Sequence, residues 1–328
     1  MTPLIDSREK LVRRPLTVRD PQRVKIDAEL GLNVTIGIAA ITRPDGHIVA
    51  TTEGMISSND YFQAVDGRTF KIKAFVDRWA MVFSGDANLF LPILEKSKDE
   101  HLQSLNYELD SVNHIQDIVS NVYREFFDKE FTATYLSRFG FKNIAEFRTN
   151  GLCQFGEKRF YEICNCIDEF DLKISLLCFG FSSDNIPHIF EVQNPGRVIS
   201  HDFMQYGVIG SGFYMAMASL RRRHLTGNLE ETIYRVLEAK FSAETASGVG
   251  KSTLLVTIDK DGNLGTVDRN EIEKIRKIWE KTLLEPAPRD AVEIISRTTA
   301  VTKLTGASVS KPEGALSVVL PRAEGGES

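Results

Sequence analysis

The sequence lacks any apolar run close to the roughly 20 residues that a membrane-spanning helix needs. Charged residues run through its N-terminal segment, among them Arg8, Lys10 and Arg13, so the apolar stretch of a secretory signal is missing as well. There is no excess of positive charge either: the net charge is −5, which gives no reason to expect a nucleic acid partner. We therefore expect a cytoplasmic protein that binds neither membranes nor nucleic acids.

Cysteine is scarce, with four residues in the whole chain, at Cys153, Cys164, Cys166 and Cys178. Thiols of a cytoplasmic protein are ordinarily reduced. Only one residue separates Cys164 from Cys166, whereas a structural zinc hook has two, and no histidine lies at finger spacing beside them. We expect neither a metal ion nor a cofactor.

The chain does have the composition of a globular protein, with 42% hydrophobic and 26% charged residues. Residues 1–32 are polar and contain three prolines, which indicates an extended leader. From residue 285 the sequence is rich in proline and small residues and poor in large apolar ones. Such a segment buries too little surface to offset its chain entropy, so residues 285–328 are expected to be disordered. A folded domain at residues 33–284 remains.

Hydrophobic periodicity divides this domain into alternating runs of strands and helices. Strands are predicted at 33–41, 45–53, 71–77, 79–85, 172–180, 187–192 and 253–258, and helices at 86–105, 113–127, 228–243 and 269–284, with a further helix after Gly212. The first two strands are joined by a Pro-Asp-Gly turn, a good hairpin signal. This order predicts an α+β fold, a four-layer α-β-β-α sandwich with two packed antiparallel sheets.

Residues at about 131–168 interrupt the pattern, because they are rich in aromatic residues and lack clear periodicity. We interpret them as an insertion outside the sandwich. Loops of this length are usually functional or disordered. The segment has too many aromatic side chains for a solvated loop, so we expect it to cover a partner subunit.

The hairpin that begins at Asn33 and ends at Glu53 resembles the opening hairpin of the proteasome subunits, which belong to the N-terminal-nucleophile hydrolases. The order of the elements over residues 33–284 is similar too, apart from the insertion. This resemblance implies a ring of like or unlike subunits, and a peptide substrate if the subunit is active. Catalytic members of the family begin their mature chain with a threonine four positions before the glycine that is Gly37 here. That position holds Asn33, which cannot act as the nucleophile; Thr35 lies two residues further along.

The resemblance also implies a catalytic lysine. Lys71 lies fourteen residues before Gly85, as the family's lysine does before the glycine whose amide binds the oxyanion. A buried ammonium at that place would lower the pKa of the nucleophile, whereas the plain alternative is a surface lysine of a strand. The acid that pairs with the lysine falls at Thr52, and Glu53 takes the role only if the register shifts by one residue.

Three more residues match motifs of the family. Ser211, between two glycines, resembles a serine that hydrogen-bonds near the nucleophile's amine, and it would equally cap the helix that follows. Glu244 and Ser247 resemble an Asp-x-x-Ser-Gly loop, with a side chain longer by one methylene in place of the aspartate. The candidate catalytic residues, expected to converge in space, are Thr35, Lys71, Ser211, Glu244 and Ser247.

The segment from Gly248 to Thr253 ends like a phosphate-binding loop. In that motif a strand precedes the glycines and a helix follows them. Here a predicted helix precedes and a strand follows, so no helix N-terminus would face a phosphate. Nucleotide binding is not expected.

Three possibilities for the function remain open. The first is a proteasome-like subunit that has lost its nucleophile and acts as a structural or regulatory member of a ring assembly. The second is a self-processing threonine peptidase in which cleavage after Val34 exposes Thr35. A different activity on the same fold is the third possibility, because fold does not fix function.

Overall fold

The computed structural model describes residues 35–43, 46–53, 71–104, 111–222, 227–246 and 249–283. Asn33, Ser247, the predicted leader and the predicted tail lie outside these ranges. The chain divides into two compact units, Met1–Lys277 and Ile278–Ser328. The second is described only at residues 278–283.

The strands and helices follow one another in the predicted alternation. The strands are β1 (Ile36–Ile41), β2 (Ile48–Glu53), β3 (Ile72–Val76), β4 (Trp79–Gly85), β5 (Ile174–Phe181), β6 (Pro187–Gln193), β7 (Arg197–Ser200), β8 (Tyr206–Gly210), β9 (Thr253–Ile258) and β10 (Leu264–Thr266). The helices are α1 (Ala87–Gln103), α2 (Val112–Phe131), α3 (Ile144–Glu169), α4 (Phe213–Arg222), α5 (Leu229–Ala243) and α6 (Arg269–Thr282), with a π-helical turn at Thr132–Leu136 and a 3₁₀ turn at Ser137–Phe139.

The strands form two antiparallel sheets of five strands each. The first sheet has the order β10-β9-β2-β1-β8 and the second the order β3-β4-β5-β6-β7. The two sheets pack face to face through apolar side chains such as Ala39 and Ile41 of the first and Val82 and Phe179 of the second. Helices α1 to α3 cover the outer face of the second sheet, and α5 packs on β1 and β2 of the first. The fold is therefore the predicted α-β-β-α sandwich.

The side chains of β4 point alternately to its two faces, and this shows why such strands form the middle layers of the sandwich. Met81 and Phe83 point to the helices α1 and α2, whereas Ala80 and Val82 point to the other sheet. Successive side chains of a strand face opposite sides of a sheet. Both faces of β4 are covered, so an almost continuous apolar run is required, and the sequence WAMVFSG supplies it.

The hairpin of β1 and β2 brings its two open ends to one place. Gly37 lies opposite Thr52 in the register, so Thr35 and Glu53 both lie at the open end, away from the turn. Lys71 comes directly before β3, and Gly210 ends β8, the neighbour of β1. Three of the candidate residues, Thr35, Lys71 and Ser211, thus adjoin strand ends at one edge of the sandwich.

The aromatic segment at 131–168 differs from our expectation. Phe131, Phe141 and Phe147 are buried in the chain's own core beneath α1 to α3, where Phe141 and Phe147 meet edge to face at 5.5 Å. These rings therefore do not cover a partner. The π-helical turn and a kink at Gly156, whose φ is +71°, break the helical period, and this is why the sequence shows no clear periodicity.

Candidate active site

Thr35 lies at the start of β1 with only 3% of its surface exposed. Its hydroxyl oxygen Oγ1 is 2.7 Å from the Nζ atom of Lys71, which donates a hydrogen bond to it. This contact joins two residues that the sequence analysis named as candidates. A hydroxyl beside a lysine amine is an arrangement found at activated nucleophiles.

Glu53 is the acidic partner of this lysine. Its Oε1 lies 3.2 Å from Nζ of Lys71, and the two side chains are 0% and 2% exposed. The position assigned to the acid from the resemblance, Thr52, instead donates its hydroxyl to the carbonyl of Ile36 at 2.9 Å. Neighbouring residues of a strand face opposite sides, so only one of the two could reach Lys71, and it is Glu53.

Burial shifts the pKa values of both partners toward the neutral forms. The pKa of Lys71 is lowered because burial disfavours the ammonium, although the charge of Glu53 acts in the opposite direction. Burial likewise raises the pKa of Glu53, against the opposing effects of Lys71, the Gly250 amide and Lys240. Lys71 therefore releases a proton at a lower pH than an exposed lysine, a property suited to proton transfer with the Thr35 hydroxyl.

The turn after β8 lies against the backbone of Thr35. Gly210 has a φ of +104°, and a Cβ at this residue would lie 2.0 Å from the Thr35 carbonyl oxygen. The next residue, Ser211, donates its hydroxyl to the same oxygen at 3.4 Å. Ser84 lies close by: its Oγ would be 3.0 Å from the same Cβ. Within the described part of the chain, this buried hydroxyl has no hydrogen-bond partner.

Gly250 holds the second oxygen of Glu53. Its amide donates to Oε2 of Glu53, while its carbonyl accepts a hydrogen bond of 2.7 Å from Nζ of Lys240. The phosphate-loop-like sequence at this point thus provides backbone contacts to a carboxylate and a lysine. Lys240 is 0% exposed and was not identified in the sequence analysis.

Glu244 does not take the place at Thr35 that the resemblance assigns to it. Its described hydrogen bonds are to Lys240 and Arg276, each of which contacts its carboxylate. The reason is local, because Glu244 caps the C-terminus of α5 one turn after Lys240 and faces Arg276 of α6. The spacing of Lys240 and Glu244 was visible in the sequence as an i,i+4 pair, whereas Arg276 carried no local signal.

A second polar chain lies at the turn between β5 and β6. Nε2 of His188 is 3.0 Å from Oγ of Ser182, and Nδ1 is 2.8 Å from Oδ2 of Asp202. This order of groups matches a serine hydrolase triad. However, Ser182 is 5% exposed and directs its hydroxyl to Asp184 and the carbonyl of Ile186. These hydrogen bonds of Ser182, His188 and Asp202, which we call the clasp, therefore hold the turn together. They do not present Ser182 as a nucleophile.

No protein-family model matches this sequence, and a search of curated proteins finds no match either. In the described ranges, no group of three or more histidine, cysteine, aspartate or glutamate residues is placed to bind a metal ion. None of the helices in those ranges has the length and the apolar character needed to cross a membrane. The case for a function therefore depends on the geometry around Thr35.

Proposed function

We propose that this chain is the precursor of a threonine-type amide hydrolase, similar to the proteasome subunits, in which Thr35 is the nucleophile. The observation that carries the proposal is the 2.7 Å contact between Nζ of Lys71 and Oγ1 of Thr35. Burial of the ion pair between Lys71 and Glu53 at 3.2 Å supports it, because that pair fixes the amine beside the hydroxyl.

Self-processing follows from the same geometry. Oγ1 of Thr35 adds to the carbonyl carbon of Val34, and the bond from that carbon to the Thr35 nitrogen breaks. The hydroxyl proton passes by way of Lys71 to the departing nitrogen, which leaves an ester between Val34 and the Thr35 side chain. Water hydrolyses this ester, giving a carboxylate on Val34 and a free amine on Thr35. That amine can then act as the base for the neighbouring hydroxyl toward peptide substrates.

This proposal places the nucleophile two residues after Asn33, the position that the resemblance gives. The choice is supported by side-chain contact, because it is Thr35 that receives the hydrogen bond of Lys71. Gly210 and Ser211 approach the backbone of the same residue. Two separate parts of the chain, one before β3 and one at the end of β8, thus meet at Thr35.

The test is the mass of the purified protein. We expect a chain that begins at Thr35, and we expect Thr35→Ala and Lys71→Ala to keep the full-length mass. Lys73→Ala is the matched control, because Lys73 lies on β3 two residues after Lys71 and makes none of the contacts described for the site; it should process normally. Hydrolysis of short fluorogenic peptides should fall by at least about a hundredfold in mature Lys71→Arg relative to the parent. A full-length parent, lacking Met1 at most, that cleaves no peptide would overturn the proposal.

The second candidate is an inactive ring subunit, and the position of Glu244 favours it. Its carboxylate is held by Lys240 and Arg276, so it does not join Thr35 and Lys71 as the resemblance implies. Proteasome-like rings close through heterologous contacts. Static light scattering that reports several subunits of full-length chain, with no variant differing from background in peptide hydrolysis, would support this candidate. A monomer at micromolar concentration would exclude this second candidate.

A further inference from the structure

A continuous line of polar contacts runs from Thr35 to the last described helix. Lys71 joins Thr35 to Glu53, and Gly250 joins Glu53 to Lys240. Lys240 in turn contacts Glu244, and the carboxylate of Glu244 also accepts hydrogen bonds from two nitrogens of Arg276. The line begins at the proposed nucleophile and ends on α6, and every hydrogen bond along it is made by side chains or by Gly250.

Burial makes Lys240 an unusual choice for this place. The side chain is 0% exposed, and Glu244 beside it is 6% exposed. A buried ion pair contributes little net stability, and apolar residues of similar volume commonly serve as well or better. Stability alone therefore does not account for an ammonium at this position, and its hydrogen bond to the Gly250 carbonyl points to a second role.

Lys240 acts on Glu53 in two ways. Its hydrogen bond to the Gly250 carbonyl helps to fix the residue whose amide binds Oε2 of Glu53. Its positive charge also lowers the pKa of Glu53, against the upward effect of burial. The ionised carboxylate is the form that attracts the Lys71 ammonium.

Other charges face Lys240 from every side of this network. Glu244 of α5 raises the pKa of Lys240, as does Glu53 at the end of β2, while Arg276 of α6 lowers it together with burial, which is the largest effect. Arg276 is held in place by Glu244, by the Lys251 carbonyl at 2.9 Å and by the ring of Phe241 at 4.2 Å. The net effect is a lowered pKa of Lys240, and the network fixes the position of its side chain.

We propose that Lys240 is a positioning residue for the Thr35 site, which orients Glu53 through the Gly250 backbone and so holds Lys71 against the nucleophile. This inference rests on the proposed function of Thr35. Lys240 touches no reacting atom, and its effect passes through Glu53 and Lys71.

The first measurement needs no activity. In full-length Thr35→Ala, the carboxyl carbon of Glu53 is followed by NMR of labelled glutamate and assigned through Glu53→Gln. Lys240→Met should raise the pKa of Glu53, and Lys240→Arg should restore it toward the parent value. Lys274→Met is the matched control, because Lys274 is an exposed lysine paired with Glu271 on α6, and it should change nothing. If Lys240→Met does not fold by circular dichroism, Lys240→Gln takes its place. An unchanged Glu53 in a folded variant overturns the inference.

The second measurement uses the processed enzyme. Lys240→Met should lower kcat by between about tenfold and a hundredfold, with little change in KM, because the site is misaligned while substrate contacts remain. It should also move the acid limb of the kcat profile to higher pH, and Lys240→Arg should recover most of the loss. An inactive parent with a shifted Glu53 pKa in Lys240→Met would overturn the proposed function and leave the positioning role standing. Unchanged kcat in Lys240→Met would overturn the positioning role alone.

Discussion

Gly210 and Thr35 are in such close backbone contact that no side chain fits between them: a Cβ on Gly210 would lie 2.0 Å from the Thr35 carbonyl oxygen. Because Gly210 also has a φ of +104°, two separate reasons require glycine at this position. The contact fixes the start of β1, and with it the direction of the Thr35 side chain.

Gly210→Ala should therefore destabilise the protein by at least about 2 kcal/mol, since it combines backbone strain with a steric overlap. The measurement is urea unfolding followed by circular dichroism. Gly46→Ala is the control, because Gly46 has a φ of +67° but open space around its missing Cβ. It should cost only about 1 kcal/mol from strain. Equal losses of unfolding free energy in the two variants would show that the contact with Thr35 adds nothing to the cost of Gly210→Ala.

Lys71 and Glu53 should behave as a coupled pair in stability. Removing either partner leaves a buried group without its counter-charge, so Lys71→Met and Glu53→Gln should each cost about 3–5 kcal/mol. The double variant should cost less than the sum by about 1–3 kcal/mol, because the second change removes the charge that the first one stranded.

The exposed pair of Lys274 and Glu271, with side chains 68% and 56% exposed, provides the comparison for this cycle. Its two variants should add within about 0.5 kcal/mol, since solvent screens the pair. Additive losses at Lys71 and Glu53 would contradict the coupling.

The clasp at the β5–β6 turn should make stability depend on pH in the acid range. Burial raises the pKa of Asp202, but the hydrogen bonds from His188 and from the Ile189 amide outweigh it and leave the pKa below the usual 3.8. A carboxyl with a lowered folded pKa contributes stability above its unfolded value, and this contribution is lost as the pH falls through the folded pKa.

In Asp202→Asn the free energy of unfolding should accordingly fall less between about pH 5 and pH 3 than in the parent. The exposed Asp261 offers a control: Asp261→Asn should keep the slope of the parent. If the free energy of unfolding falls equally with pH in the parent and in Asp202→Asn, the clasp does not contribute to the loss of stability in acid.

Phe147 tests the correction made for the aromatic segment. Its side chain is 0% exposed and stacks on Phe160 at 5.2 Å. Phe147→Ala should cost about 3–5 kcal/mol by opening a cavity in the core. Tyr161→Ala changes a ring that is 60% exposed and should stay within about 0.5 kcal/mol of the parent. If Phe147→Ala weakened assembly but left the stability unchanged, the original interpretation as a partner surface would be correct.

The strands with two covered faces could be predicted from the sequence because an unbroken apolar run leaves little choice. The bounds of β4 (Trp79–Gly85) and β9 (Thr253–Ile258) agree with the prediction. The short strands β7, β8 and β10 were missed. The residues of β7 and β10 are partly or fully exposed and show no apolar pattern, and β8 is a buried strand of five residues that includes two glycines. Such strands are recognised through their neighbours, which a single sequence does not reveal.

Some residues of the candidate site could likewise be predicted from the sequence, and others could not. Lys71 could be found from its spacing to Gly85, because that distance is set within one hairpin. The assignment of the acid to Thr52 was wrong, because Glu53 contacts Lys71, and the outcome depends on which face of β2 meets that lysine. Gly250 and Lys240 were not predicted as part of the site. Their contacts involve the Gly250 backbone and join separate elements, and local periodicity does not indicate such contacts.

The hydrogen bonds between Arg276 and Glu244 have a consequence for when the contacts around Thr35 can be completed during translation. Thr35 emerges from the ribosome early, whereas Arg276 emerges when nearly the whole domain has been translated. Until then Glu244 lacks one of its described partners, and the line of contacts that begins at Thr35 is incomplete at its far end. If the proposed function is correct, cleavage between Val34 and Thr35 should therefore occur only after the domain has been translated.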